Sequence, residues 1–303
     1  MCYTFSARRL FLSIPRRAED RVMDIIALGG INLDILGQSD GDFVLGDSNP
    51  GRVLFRAGGV CRNIAAEIAR QGHRVSLLSC LGSGRVSRLL RDMCAADGLD
   101  TSLCAESAAD AGVYLALRRS DGEMLAALND MRCMDGMTPE AVLPRLEGRK
   151  ADLMILDCNL PGETISAVAR KYGRGTPLFL DPVSVFKAER CLGALPFLSA
   201  VKPNLIEARR LTGQKDAADC AAALLDMGVK AAYVSMGAQG VYYACGDERG
   251  VCPAPPLPEG TPLTGAGDAL CAGLIRGMLM NKTAAECAFL GVTAAADRLT
   301  RRS

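Results

Sequence analysis

Short apolar runs alternating with helical patterns predict an α/β chain: a mainly parallel central sheet covered by helices on both faces, with a small β-sheet lid. Three observations carry this expectation. The runs are continuous rather than alternating in polarity, which suits strands buried on both faces. Helix-length amphipathic segments separate them, as crossovers between parallel strands require. Two polar-alternating segments interrupt the rhythm and suit a sheet that water can reach.

The first strand begins cleanly in Met23-Asp24-Ile25-Ile26-Ala27-Leu28-Gly29-Gly30. Strands are expected at 25–28, 75–79, 153–156, 178–180, 200–201 and 232–234, and helices at 62–71, 86–96, 139–146, 163–172, 206–211 and 217–227. The lid is expected from two segments, about 32–56 and 110–130, the second a hairpin turning at Asp121-Gly122. The hydrophobic run 269–296 is broken by Arg276, Lys282 and Glu286 and reads as buried helices, not a membrane span. Residues 1–22 hold Arg8, Arg9, Arg16, Arg17 and Arg21 among apolar residues, a composition like an organellar presequence. They carry no motif, so they read as an extension, disordered or from an upstream start, before a single domain at 23–303.

Composition excludes several classes. With 49% hydrophobic and 23% charged residues, the 303-residue chain is not a disordered one. Its 35 basic and 34 acidic residues leave a net charge of +1, so no global field draws it to nucleic acid or membrane. The 13 cysteines include no Cys-x-x-Cys pair, and His73 is the single histidine. That argues against a paired Cys/His zinc site, a disulfide scaffold and most Ser-His or Cys-His catalysis. Small buried thiols in a reducing cytoplasm are the expectation, with His73 a turn residue. Open lid edges suggest a homodimer formed through the lid.

Three motifs carry chemistry. In Thr264-Gly265-Ala266-Gly267-Asp268, a glycine-rich turn opens a helix, whose free N–H groups and positive dipole end form an anion site. Asp268 in its first turn would repel a phosphoryl group unless its task is to take a proton from an incoming hydroxyl; the alternative is that it complements the helix dipole. The Walker A pattern is absent. In Gly58-Gly59-Val60-Cys61-Arg62-Asn63, the glycine pair permits close backbone approach, and Asn63 offers donors and an acceptor to a sugar hydroxyl. In Gly29-Gly30-Ile31-Asn32-Leu33-Asp34, Asn32 and Asp34 are expected at the carboxyl end of the first strand, where a carboxylate can hold vicinal hydroxyls; an Asx turn is the alternative.

Together these strings resemble the two signatures of the ribokinase-like (phosphofructokinase B type) sugar and nucleoside kinases, in order and at suitable separation. The resemblance runs from about Met23 to the end of the chain. It implies a ribokinase-like three-layer sandwich with a lid, ATP as co-substrate, Mg²⁺, and K⁺ as a further candidate ion. It implies Asp268 as catalytic base with Gly265, Ala266 and Gly267 holding the transferring phosphoryl group. Lys202-Pro203-Asn204-Leu205-Ile206-Glu207 resembles the family's Asn-x-x-Glu element, assigning Asn204 and Glu207 to Mg²⁺ through water. Ser235, Gly237, Gly240, Thr264 and again Asn204 are implied at the nucleotide. Asn32, Asp34, Gly58, Gly59, Asn63, Asn129, Asp130 and Lys187 are implied at the acceptor. Residues 59–65, 128–131 and 181–187, with Lys202-Pro203-Asn204 and Glu207-Ala208, further resemble the family members that phosphorylate pseudouridine. The alternatives are another sugar or nucleoside kinase of the family, and a non-catalytic nucleoside-binding regulator. The loop Gly82-Ser83-Gly84-Arg85-Val86-Ser87 departs from the Gly-x-Asp-x-x-Gly form found there in relatives.

Overall fold

The computed structural model describes residues 21–107, 110–258, 261 and 263–300. The extension expected at 1–22 thus lies outside the described residues except for Arg21 and Val22. Arg21 lies 3.3 Å from Asp152 in an exposed ion pair.

Nine strands form the central sheet in the order Glu248–Cys252, Val241–Cys245, Ala232–Ser235, Ala200–Val201, Leu178–Asp181, Leu153–Asp157, Asp24–Leu28, Arg74–Leu78, Leu99–Asp100. From Ala232–Ser235 to Leu99–Asp100 every pairing is parallel. The first two strands in that order form an antiparallel edge hairpin that the sequence pattern did not announce. Side chains along each inner strand alternate between two cores. Ile25, Ala27, Ile155, Phe179 and Tyr233 enter one, while Ile26, Leu28, Leu156, Leu180 and Val234 enter the other. A strand buried on both faces has no position left for a polar residue, hence the continuous apolar runs. Helices Val60–Arg70, Arg85–Ala96, Ala266–Leu279 and Ala284–Thr300 cover the first core. Pro139–Leu146, Gly162–Tyr172, Leu205–Thr212 and Ala217–Asp226 cover the second. The result is the three-layer sandwich expected, with the expected strands within one residue and the helices within two.

A separate four-stranded sheet, in the order Gly51–Gly58, Asn32–Ser39, Gly112–Arg118, Met124–Asp130, forms the lid. Here one expectation is corrected. Asn32 and Asp34 do not end the first core strand; they begin the lid. The chain leaves Leu28, crosses Gly29 to Ile31 and resumes an extended path in the second sheet, where Asn32 pairs with both Gly58 and Gly112. Leu33 and Ala116 anchor the lid to the interior. Val53, Leu54, Phe55 and Leu128 stay exposed on its outer strands.

All twelve described cysteines are free thiols, and all but Cys252 are buried. His73 sits in the turn between a helix and a strand, its Nδ1 accepting the Met23 N–H at 3.4 Å. Among the described residues no helix is long and apolar enough to cross a membrane.

Candidate active site

Parallel strands direct their carboxyl ends to one edge of the sheet, and the candidate site is built there. Asp157 ends its strand with a fully buried side chain. Its carboxylate accepts from the backbone N–H of Gly30 at 3.1 Å, Cys61 at 3.0 Å and Asn159 at 2.9 Å, and from the Asn159 amide at 2.7 Å. Burial pushes this carboxyl up, and those donors oppose it. Asp157 and Asn159 occupy the space that side chains on Gly29 and Gly30 would need. Lys187 donates to Asn159 at 2.6 Å. This pins the Lys187 ammonium to the same floor.

The Gly-Gly turn packs directly above. Gly59 has φ +102°, and a Cβ there would land on the Gly30 carbonyl; only glycine fits this conformation and this closeness. Gly58 lies against the Asp34 carboxylate, which accepts from Asn32 at 2.6 Å. Burial raises the Asp34 carboxyl, with Asn32 opposing. Asn63, in the first helical turn after Gly59, donates to Asp268 at 2.8 Å. The two glycine-opened helices, more than two hundred residues apart in sequence, therefore meet at one hydrogen bond.

Gly265 takes the left-handed conformation at φ +85° and starts the Ala266–Leu279 helix. The Ala266 N–H is engaged by the Leu263 carbonyl at 3.2 Å, which leaves Gly267 and Asp268 to supply the first-turn N–H groups that an anion can take. Asp268 keeps some solvent contact, yet burial pushes its carboxyl up to about 7, against the Asn63 donor. Beneath lies a buried ion pair, Lys202 with Asp181, at 2.8 Å. Burial alone would discharge Lys202, but Asp181 reverses this and holds its ammonium above its ordinary value. The Lys202 ammonium lies 3.8 Å from where a Cβ on Gly267 would stand. Val183 sits at φ +69°, strained for a β-branched residue, while its N–H donates to Asp181 at 2.7 Å.

Asn204 and Glu207 form a capping box. The Asn204 side chain accepts from Ile206 and Glu207 N–H, and Glu207 accepts from the Asn204 N–H, all at 2.9 Å. Glu207 is buried, and burial followed by Asp181 raises its carboxyl. Asn204 bridges to Ser235. The following turn uses Gly237 at φ +61° and Gly240 at φ +94°, the latter against the Cys252 carbonyl. Thr264 is exposed beside the helix start.

Two residues stand apart. Asn129 and Asp130 lie exposed on the outermost lid strand, and Asp130 is engaged with Arg132 at 2.5 Å. The site also holds residues that sequence reasoning did not assign: Asp157, Asn159, Asp181 and Lys202. For Asp157 and Asp181 the signal was a polar residue closing a buried strand, as in Leu156-Asp157 and Leu180-Asp181; Asn159 and Lys202 lie just beyond their strands. A second omission is Asp110, which leads into the lid strand Gly112–Arg118. Its carboxylate accepts from Val86 N–H at 3.0 Å and from Ser87 N–H at 2.8 Å. It thereby caps the helix behind the atypical Gly82–Ser87 loop. Among the described residues no group of three or more His, Cys, Asp or Glu could cage a metal ion. The Asn204–Glu207 pair offers the polar surface for an ion held mainly by phosphate and water.

A helix N-terminus opened by glycine, an acid in its first turn and an amide presented by a second such helix have the chemistry that phosphoryl transfer to a small hydroxyl acceptor needs. The chain belongs to the pfkB family of carbohydrate kinases, which matches residues 23–303. It is therefore an ATP-dependent phosphotransferase for a sugar or nucleoside. A pseudouridine kinase of Escherichia coli is 33% identical over 257 residues, 82% of each chain. A ribokinase of Haemophilus influenzae is 25% identical over 293 residues, 89% of this chain and 92% of its own. Among solved structures, a carbohydrate kinase from Agrobacterium tumefaciens superposes with a TM-score of 0.80 at 28% identity, covering 93% of this chain and 92% of its own. A ribokinase from Thermotoga maritima, at 21% identity and TM-score 0.79 over 93% of this chain and 94% of its own, shares the fold.

Proposed function

We propose that the protein transfers the γ-phosphoryl group of ATP to the 5′-hydroxyl of pseudouridine, giving pseudouridine 5′-phosphate and ADP. The observation that carries phosphoryl transfer is the 2.8 Å hydrogen bond joining Asn63 to Asp268 at the helix start. Asp268 takes the proton of the attacking hydroxyl. A carboxyl pushed up to about 7 is a stronger base than an exposed aspartate and is still ionised in a useful fraction near neutral pH. The Gly267 N–H and the Lys202 ammonium stabilise charge on the transferring group, with Gly265 and Ala266 shaping the loop. When bound with ATP, Mg²⁺ would neutralise phosphate charge, with Glu207 and Asn204 oriented toward its waters. Ser235, Gly237, Gly240 and Thr264 line the nucleotide side. Asp34, Asn32 and the Gly58-Gly59 backbone meet the ribose, and Lys187 is a further acceptor-side donor.

The acceptor assignment draws on the Escherichia coli pseudouridine kinase, 33% identical over most of both chains. Asn129 and Asp130 face the base when the lid closes, which excludes water from the reacting phosphoryl group. Exposed Val53, Leu54, Phe55 and Leu128 favour pairing of two lids in a homodimer. Reduced thiols throughout the core favour a cytoplasmic location.

A coupled ADP-release assay over pseudouridine, uridine, adenosine, ribose and fructose tests the reading. Pseudouridine is expected to give the highest kcat/KM, at least about tenfold over the others, a gap of about 1.4 kcal/mol. A different leader would overturn the acceptor while leaving the kinase; turnover with none would overturn both.

A further inference from the structure

Arg62 stands beside Asn63 and has no part in the reaction described above. Its guanidinium is buried, at 7% exposure. It donates to the Ala57 carbonyl at 3.3 Å and to Asn63 Oδ1 at 3.2 Å, and its other terminal nitrogen pairs with Asp97. Asp97 in turn accepts from Arg70 at 3.0 Å, and Arg70 pairs with Glu67 at 2.8 Å. The Arg62 Nε is buried with no partner. Burying a guanidinium with one donor unsatisfied is costly, so its retained contacts invite a functional account.

We propose that Arg62 is a positioning residue for phosphoryl transfer: it holds the Asn63 amide in the one orientation that presents a donor, not an acceptor, to Asp268. A guanidinium has donors only, so the Asn63 atom facing it must be the oxygen. The amide nitrogen then faces Asp268, as observed at 2.8 Å. A flipped amide would set its oxygen against the carboxylate. That arrangement is favourable only when Asp268 carries a proton to donate, the form that cannot act as a base. Arg62 thus ties the ionised form of Asp268 to the resting geometry of the site. The Asp97 pair, anchored by Arg70 about two turns further along the same helix, keeps the guanidinium from swinging away.

This inference rests on Asp268 being the base. Other groups around Asp268 are Asp181 and Asp157 at two strand ends and Lys202 beside them. The Cys61 and Cys271 thiols also face it, held protonated by burial. Arg62 also lowers the Asp34 carboxyl by its charge, so the test must keep that charge. Arg62→Lys does so: one ammonium can pair with Asp97 but cannot bridge to Asn63 as a fork does.

The experiment is the pH dependence of kcat in the wild type, Arg62→Lys and Asp97→Asn. The wild type is expected to lose activity on the acid side of neutrality. In Arg62→Lys that limb should move upward, so that kcat at pH 6 falls about three- to tenfold and kcat at pH 9 is retained. The KM for ATP should stay within about twofold. Asp97→Asn, at a partly exposed site, should move the limb the same way by less, and gives the answer should Arg62→Lys fail to fold. A limb that stays in place in both variants, or an equal loss at pH 6 and pH 9, overturns the positioning role alone. A wild type with no acid limb overturns the base and this inference with it.

Discussion

Two aspartates mark the contrast between the floor of the site and its lid. Asp157 is fully buried and accepts from four donors, three of them backbone N–H groups on separate turns of chain. Asp130, on the outermost lid strand, is exposed, and its neighbour Arg132 draws its carboxyl down to about 2. The floor is cross-linked by groups that have no room to move, and glycine is required at Gly59 because a carbonyl occupies the space beyond it. The lid rests on a few buried residues such as Leu33 and Ala116, while its outer strands face water. The first kind of structure suits a reaction that depends on precise positioning, and the second suits a surface that opens, closes and differs between acceptors.

Substitutions should separate the two regions by what they damage. The largest expected effect is on the floor. Lys202→Met leaves Asp181 buried without its cation, which should cost about 3–5 kcal/mol; chemical denaturation measures it. A loss under about 1 kcal/mol would mean that the pair is not buried as described. Gly59→Ala comes next. At φ +102° and against the Gly30 carbonyl, a methyl group should cost about 1–3 kcal/mol and lower kcat with it. A stable, active alanine variant would show that the turn is not held as tightly as the floor requires. Asn129→Ala should be the mildest. On the exposed strand it should change stability by no more than about 0.5 kcal/mol, yet raise the nucleoside KM several-fold and leave the ATP KM unchanged. Equal effects on both substrates would remove Asn129 from the base.

The same contrast explains which elements the sequence makes legible. Core strands announced themselves because burial on both faces admits only apolar residues, so Leu153–Asp157 and Leu178–Asp181 were located to within one residue. The helices opened by Gly59 and Gly265 were legible because a glycine-rich string stands directly before each amphipathic run, and the two strings occur in order and at a suitable separation. Asn32 and Asp34 were read both as the end of the first core strand and as the start of the lid segment, because a strand that leaves one sheet and enters another across three residues looks like a strand end followed by a turn. The edge hairpin Val241–Cys252 escaped because Gly237 and Gly240 drew attention to the loop before it. Asp157, Asp181 and Lys202 went unassigned because their meaning lies in partners far along the chain. No local pattern links Asp157 to the Cys61 N–H, or Arg62 to Asp97.

Asp268 is proposed as the base, not merely a helix cap. Asp268→Asn keeps shape and hydrogen-bonding reach but cannot take a proton. Steady-state kcat and ATP affinity measured on the same purified variant decide between these roles. A base should show a loss in kcat of at least about a hundredfold, with ATP binding held or tightened because one negative charge near the phosphates is gone. A variant whose kcat stays near that of the wild type would contradict that role.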